Sequence, residues 1–334
     1  MKNSLDLLRL VAATLVLYSH QYVLLGFPEP SFLGMTTFGG AGVSIFFFLS
    51  GFLVWSSWVR DSDIKRFFIR RSLRIFPGLW LVVFVTVFFF GPALSNFSLT
   101  DYFTSTETWR YLSTAVLLVR KGLPGVLTGN PFPQAINGSL WTLPIEFLCY
   151  LTVAVVGSVQ LAQKNWLLGG CLCLVALGAT LGPAMVGERF IPHFEMVAFF
   201  WWGAWYGHLS RNLSTHSKWD WVLSVLALLV FLTLGSRGVE RTSMLLFAGG
   251  LVIIARKVSI GAPLTDRLGD LSYGMYIFAF PVQQAFIQLA HDRNWAFETY
   301  LASSFLVTAG LAYASWHCIE KRVLLFKPSV KDQA

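Results

Sequence analysis

The chain has 334 residues, of which 55% are hydrophobic and only 13% charged, with a mean hydropathy of +0.61 and a net charge of +8. An ordinary soluble domain is about a quarter charged, so a soluble fold is excluded, and so is a soluble enzyme on a single anchor, because no polar stretch is long enough to form a separate domain. The positive charge does not describe a nucleic-acid face either: the basic residues lie in short loops between long apolar runs, which is the pattern of an all-α, polytopic membrane protein.

A spanning helix needs about 20 mostly apolar residues. Ten are predicted, over 5–25, 39–58, 75–92, 138–159, 165–182, 193–209, 219–235, 242–256, 268–290 and 298–320, the eighth being short. No internal repeat or low-complexity segment appears. The first run has no small-residue cleavage site after it and reads as a retained helix. With a cytoplasmic N-terminus, 17 of the 25 Lys and Arg fall on the inside, seven on the outside, and Arg9 within the first span. That bias predicts about ten spans with both termini cytoplasmic. Residues 1–325 then form one membrane domain and 326–334 a short cytoplasmic tail.

The first span carries Asp6, Arg9 and His20, and ionisable groups inside a bilayer are costly and usually functional. Asp6 and Arg9 are three residues apart and can pair. Arg9 and His20 are 11 apart, three turns plus about 20°, so they share a face about 16 Å apart along the axis. Arg9 as a snorkelling residue and His20 as a packing residue are the plainer readings. Two ionisable groups on one face favour function.

The connection Lys65–Pro77 reads KRFFIRRSLRIFP. Arg71 and Arg74 are three apart on a helical approach to the third span. Such a cluster binds anionic lipid, or it holds a phosphate-rich ligand through bidentate guanidinium contacts. The long external segment 93–137 lacks spanning periodicity. It reads equally as a cap over helix ends or as an acceptor-binding lid.

The fourth span opens with Asn137-Gly-Ser-Leu-Trp-Thr-Leu-Pro-Ile-Glu146. Glu146 lies about 12 Å below the outer surface and His20 about 8 Å, so the two are expected to meet as a general-base pair. His193, Glu195, His317 and Glu320 read as end-of-helix polar groups. The four Cys (Cys149, Cys171, Cys173 and Cys318) sit in apolar runs and are expected to be free, buried thiols. Neither metal-ligand spacing nor a glycine-rich phosphate loop is present.

These segments together resemble the acyltransferase 3 family of integral membrane acyltransferases. Asp6-Leu-Leu-Arg9 through His20 resembles its first helix, and Ser44-Ile-Phe-Phe-Phe-Leu-Ser-Gly-Phe52 its second. Arg71-Ser-Leu-Arg74 matches its Arg-x-x-Arg motif. Ser139-Leu-Trp141 through Glu146, Leu268-Gly-Asp-Leu-Ser-Tyr-Gly-Met-Tyr276 and Ile319-Glu320-Lys321 resemble later motifs in the same order. The chain departs from the pattern at Leu7, often Gly, and at Ala279, often His. Some members carry an extracellular soluble domain after the membrane part. This chain ends soon after its tenth span, so it is expected to act alone or to pass the acyl group to a partner.

The resemblance implies transfer of an acyl group, usually acetyl, from cytoplasmic acyl-CoA to a hydroxyl of a cell-surface or secreted carbohydrate, in the bacterial inner membrane. Arg71 and Arg74, with Arg9, would meet the CoA phosphates. His20 would deprotonate the acceptor or carry the acyl group, and Glu146 would orient His20. No metal is implied. Two rivals stand beside this reading: a transporter or flippase for a lipid-linked sugar, and a non-catalytic membrane sensor or assembly protein.

Overall fold

The computed structural model describes residues 4–158, 187–210, 238–258, 267–290 and 295–329, with single positions between 170 and 178, between 222 and 229, and at 293. The predicted spans 165–182 and 219–235 lie mostly outside these residues. So do Cys173 and the cations Lys2, Lys164, Arg211, Lys218, Arg237 and Lys331.

The described chain is almost entirely helical. Helix α1 (Leu5–Leu24) is followed by a short hairpin, β1 (Ser31–Phe32) with β2 (Thr36–Thr37), in which Ser31 faces Thr37 and Phe32 faces Thr36. Helix α2 (Phe38–Arg60) starts where the Thr37 hydroxyl accepts the Gly40 amide, and α3 (Ile64–Val85) where Asp63 accepts the Arg66 amide. Both are side-chain N-caps that satisfy amides a helix start leaves open. Helix α3 continues through a π-turn at Thr86–Phe90 to Leu94.

The long segment that follows holds two short helices, α4 (Leu99–Thr104) and α5 (Thr106–Arg110), and no spanning element. Then come α6 (Thr142–Ser158), α7 (Ile191–Leu209), α8 (Gly238–Lys257), α9 (Ser272–Leu289) and α10 (Phe297–Ser315). Helix α10 runs on through a π-turn at Trp316–Glu320.

Five of the described helices are long and apolar enough to cross a membrane: Leu5–Leu24, Phe38–Arg60, Ile64–Leu94, Ser139–Ser158 and Gly238–Lys257. The last corrects the expectation of a short eighth span, since the helix begins four residues earlier than its apolar run. Its polar start, Gly238-Val-Glu-Arg241, is stabilised by tertiary contact, with Arg241 Nε donating to Glu195 at 2.7 Å.

Helix α9 is buried on nearly every face and packs against α1, α10 and α3. Its two fully buried amides donate to neighbours: Gln283 to the Leu17 carbonyl, and Gln284 to those of Phe132 and Ala135. Helix α2 packs most extensively on α7. Two glycines allow this: a Cβ at Gly51 would lie 1.8 Å from the Phe200 carbonyl oxygen, and one at Gly203 would lie 1.9 Å from that of Phe48. Small residues at a crossing let apolar helices approach closely and gain dispersion contacts.

The segment between α3 and α6 is held to the bundle by hydrogen bonds. Tyr102 donates to the Val87 carbonyl at 2.9 Å, Asn130 to Gln284 Oε1 at 2.7 Å, and the Trp80 indole to the Ala115 carbonyl at 3.0 Å. These contacts hold it against α3 and α9. Among the cysteines, Cys149, Cys171 and Cys318 are free as expected, but only Cys149 is buried. Cys318 is exposed within the π-turn, whereas Glu320 at its end is buried.

Candidate active site: a basic cavity and a histidine beyond its end

A cavity of about 720 Å³ opens at the end of the bundle where α1 and α3 begin and α2 ends. Eight of its lining residues are Arg or Lys and three are Asp or Glu, so its field favours an anion. The α2–α3 connection aims the arginines. Asp61, 4% exposed, receives Arg66 Nη2 at 2.6 Å and Arg70 Nη1 at 2.5 Å. The hydrogen bond from Arg66, helped by Arg70 and opposed by burial, holds the Asp61 carboxyl well below the usual carboxylate range. With Arg66 and Arg70 turned to Asp61, Arg71 and Arg74 project from the cavity-facing side of α3.

The two cavity arginines differ in what they already touch. Arg74 Nη2 lies 2.6 Å from Asp270 Oδ2, its Nη1 lies 3.9 Å from Glu320, and its guanidinium sits 5.7 Å over the Tyr273 ring. Arg9 pairs with Asp6 at 3.2 Å, as its spacing predicts, and with Asp270 at 3.4 Å. Arg71 has no carboxylate partner among the described residues. It lies between the Phe67 and Tyr150 rings, 5.9 Å from each, reaches Ser57 Oγ only at 3.5 Å, and leaves its buried Nε without a partner. Burial, and then the repulsion of Arg71, Arg74, Arg70 and Arg60, push the nearby Lys327 ammonium below its ordinary range.

Glu146 lines the same cavity, farther in, and accepts hydrogen bonds from Ser50 at 3.1 Å and Tyr150 at 2.5 Å. The inner end is lined by Val43, Phe46, Thr142 and Tyr276; the Tyr276 hydroxyl lies 2.7 Å from Thr142 Oγ1 and donates to the Ser139 carbonyl at 3.0 Å.

His20 does not line this cavity, which α1 reaches only through Leu5, Asp6 and Arg9. Its ring stands edge-on to Phe280 with centroids 5.0 Å apart, and its Nδ1 is buried without a partner. The expected His20–Glu146 pair is therefore corrected: Glu146 is engaged by Ser50 and Tyr150, and His20 faces an aromatic ring. Counting residues inward from helix ends fixes depth but not azimuth, and α1 and α6 present these two side chains to different neighbours. Ala279 packs with Ala13, Leu17 and Met275 instead of offering a polar group.

The segment leading to α6 is pinned beside His20 by a proline. Pro281 has no amide to bond the Ile277 carbonyl, and Asn137 Nδ2 takes that carbonyl at 2.9 Å, while Asn137 Oδ1 accepts the Ser139 amide at 3.1 Å. Gly138 fits against Phe280 because it lacks a side chain: a Cβ there would lie 2.4 Å from the ring.

Of the other polar groups, Glu195 ties α7 to Arg241, His193 lies against the Trp141 ring, and His317 lies 3.0 Å from the Leu268 carbonyl and also lines the cavity. Glu320 is buried and approaches Arg74. Sequence reasoning passed over Asp270, Tyr150 and Ser50. Tyr150 was detectable at helical spacing from Glu146, whereas Asp270 meets Arg74 across 196 positions and leaves no local signal.

The acyltransferase domain family matches residues 2–317. The chain is 33% identical to an O-acetyl transferase of Shigella phage Sf6, with 96% of each chain covered. It is 28% identical to nodulation protein 10 of Rhizobium leguminosarum bv. viciae, over 98% of this chain and 95% of that one. A peptidoglycan O-acetyltransferase of Listeria monocytogenes is 29% identical over 34% of this chain and 19% of its own length. No solved structure matches.

Proposed function

Because this chain belongs to the acyltransferase domain family and is thus an acyltransferase, we propose that it moves an acetyl group from cytoplasmic acyl-CoA to a hydroxyl of a cell-surface or secreted carbohydrate, from a place in the bacterial inner membrane. The observation that carries the donor half is Arg71, a guanidinium held between two rings in a basic cavity with no carboxylate partner among the described residues. Leaving a cation unpaired there is costly unless a ligand supplies the anion. The phosphates of CoA are such an anion, and a guanidinium binds phosphate through two parallel hydrogen bonds. The acceptor half rests on what the relatives do: one is an O-acetyl transferase and another a peptidoglycan O-acetyltransferase.

In this reading the basic end of the bundle is cytoplasmic, in line with the cation bias of the loops. Arg71 takes the donor phosphate first. Arg74 and Arg9 share it to the extent that Asp270 releases them. The thioester points along the cavity past Glu146, which keeps Ser50 and Tyr150 fixed at its wall. From the other side, the acceptor hydroxyl approaches His20, which takes its proton as general base or carries the acyl group before the sugar does. The new bond joins the acceptor oxygen to the acyl carbon, the carbon–sulfur bond breaks, and the proton ends on the departing CoA thiol. CoA itself never crosses.

Purified protein incubated with radiolabelled acetyl-CoA tests the donor directly. Saturable binding and slow release of CoA thiol are expected. A transporter for lipid-linked sugar would neither bind nor consume the label. Surface glycans with and without the gene should differ in O-acetyl content.

A further inference from the structure

The inner end of the cavity has a definite construction. Phe46 of α2 and Tyr276 of α9 meet edge to face, with centroids 5.7 Å apart. Tyr276 is fixed by its hydroxyl, bound to Thr142 and to the Ser139 carbonyl. Phe46 is held only by packing, against a cluster of Ala13, Leu17, Met275 and Ala279. His20 lies past this wall: Phe280, one turn of α9 beyond Tyr276 and so about 6 Å farther along, is the ring that touches it.

A thioester anchored by its phosphates at Arg71 therefore meets an aromatic wall before it meets His20. We propose that Phe46, backed by Tyr276, selects the length of the acyl chain, admitting acetyl and rejecting longer chains. The inference rests on the acyl-CoA donor reading and deepens it.

Two features support a steric selector here. First, the residues behind Phe46 are fully buried, so the ring cannot move aside for a longer chain without displacing the core. Second, the wall presents only apolar ring faces and a hydroxyl whose bonds are already made, so discrimination rests on size alone. Size discrimination in an apolar pocket is worth about 10–200-fold per methylene.

The test measures binding of acetyl-, butyryl- and hexanoyl-CoA to the purified full chain, each by competition against radiolabelled acetyl-CoA. The wild type is expected to prefer acetyl over hexanoyl by tenfold or more, and Phe46→Ala to bring the two within about threefold. The ratio is taken within one preparation and does not depend on how much of it is folded. If Phe46→Ala fails to fold, Phe46→Leu should move the ratio in the same direction by a smaller step. Tyr276→Phe keeps the ring and should leave the ratio unchanged; a shifted ratio would assign selection to the hydroxyl and overturn the proposal. A wild type without preference, or a Phe46→Ala protein that binds acetyl-CoA with the wild-type ratio, overturns the selector alone. A wild type that binds none of the three thioesters overturns the donor reading and the selector together.

Discussion

Arg71 and Arg74 stand one turn apart on α3, and a sequence motif treats them as equivalent, yet their surroundings give them different tasks. Arg74 pairs with the half-buried Asp270, which Arg9 also reaches, and approaches the buried Glu320. Removing it leaves Asp270 to Arg9 alone and takes this cation from Glu320, so Arg74→Ala should lower stability by about 1–3 kcal/mol, read as thermal unfolding in detergent. Among the described residues, Arg71 neutralises no carboxylate. Hydrogen bonds to charged groups contribute about 1.5–3 kcal/mol, so Arg71→Ala should weaken acetyl-CoA binding roughly 10–100-fold with stability nearly unchanged, and Lys should substitute poorly. Unchanged affinity in folded Arg71→Ala would return the cluster to an anionic-lipid role. At the other end of the path, His20→Ala should cost a factor of about 10² to 10⁴ in turnover while donor binding survives. Glu146 sits in the donor cavity and His20 beyond its end, so Glu146→Gln and His20→Ala should multiply their effects in the double variant. A double variant no slower than His20→Ala would mean that the two act as one unit.

Among the elements, the α2–α3 turn and the Pro281 break carry the site. Asp61 holds Arg66 and Arg70 at once, and its depressed folded pKa fixes the sign of its pH dependence. The stability it supplies is complete above the ordinary carboxylate pKa and is lost as pH falls through the lower folded value. Asp61→Asn should remove that acid-sensitive share and destabilise at neutral pH as well, because buried Arg70 loses its partner. A variant with the wild-type melting temperature at pH 7 would show that the turn does not depend on the pair. At Pro281, Asn137→Ala leaves the buried Ile277 carbonyl unpaired, a loss of about 1–3 kcal/mol, and frees the segment that seats Gly138 against Phe280. Lower thermal stability together with slower turnover per folded molecule is expected; loss of stability alone would separate Asn137 from the path to His20.

For the whole molecule, the arrangement requires that the basic cavity and His20 address opposite faces of one membrane. Five described helices are long and apolar enough to cross it, and the cation bias predicts about ten spans with both termini inside. Single-Cys reporters in a Cys-free background check this. Position 65 at the start of α3 should react only from inside, and position 120, between α3 and α6, only from outside. Labelling of position 65 from outside would overturn both the topology and the proposed direction of acyl transfer.

What the sequence alone determined was whatever depends on short-range pattern. Apolar runs of spanning length gave the helices, i, i+3 spacing gave the Asp6–Arg9 pair and the shared face of Arg71 and Arg74, and ordered motifs pointed to the acyltransferase family. These follow from helical periodicity and from the cost of charge in lipid, which act within one segment at a time. Only the tertiary structure decided how the charges are shared: that Asp270 serves Arg74 and Arg9, that Asp61 holds Arg66 and Arg70, and that Arg71 is left without a carboxylate among the described residues. It also separated Glu146 from His20 and put Phe46 and Tyr276 in the wall of a cavity that His20 does not line. Depth along a helix can be counted from sequence, but azimuth is set by how helices pack against one another. That packing turns on contacts such as Gly51 against Phe200 and Gly138 against Phe280, whose partners lie more than a hundred residues away.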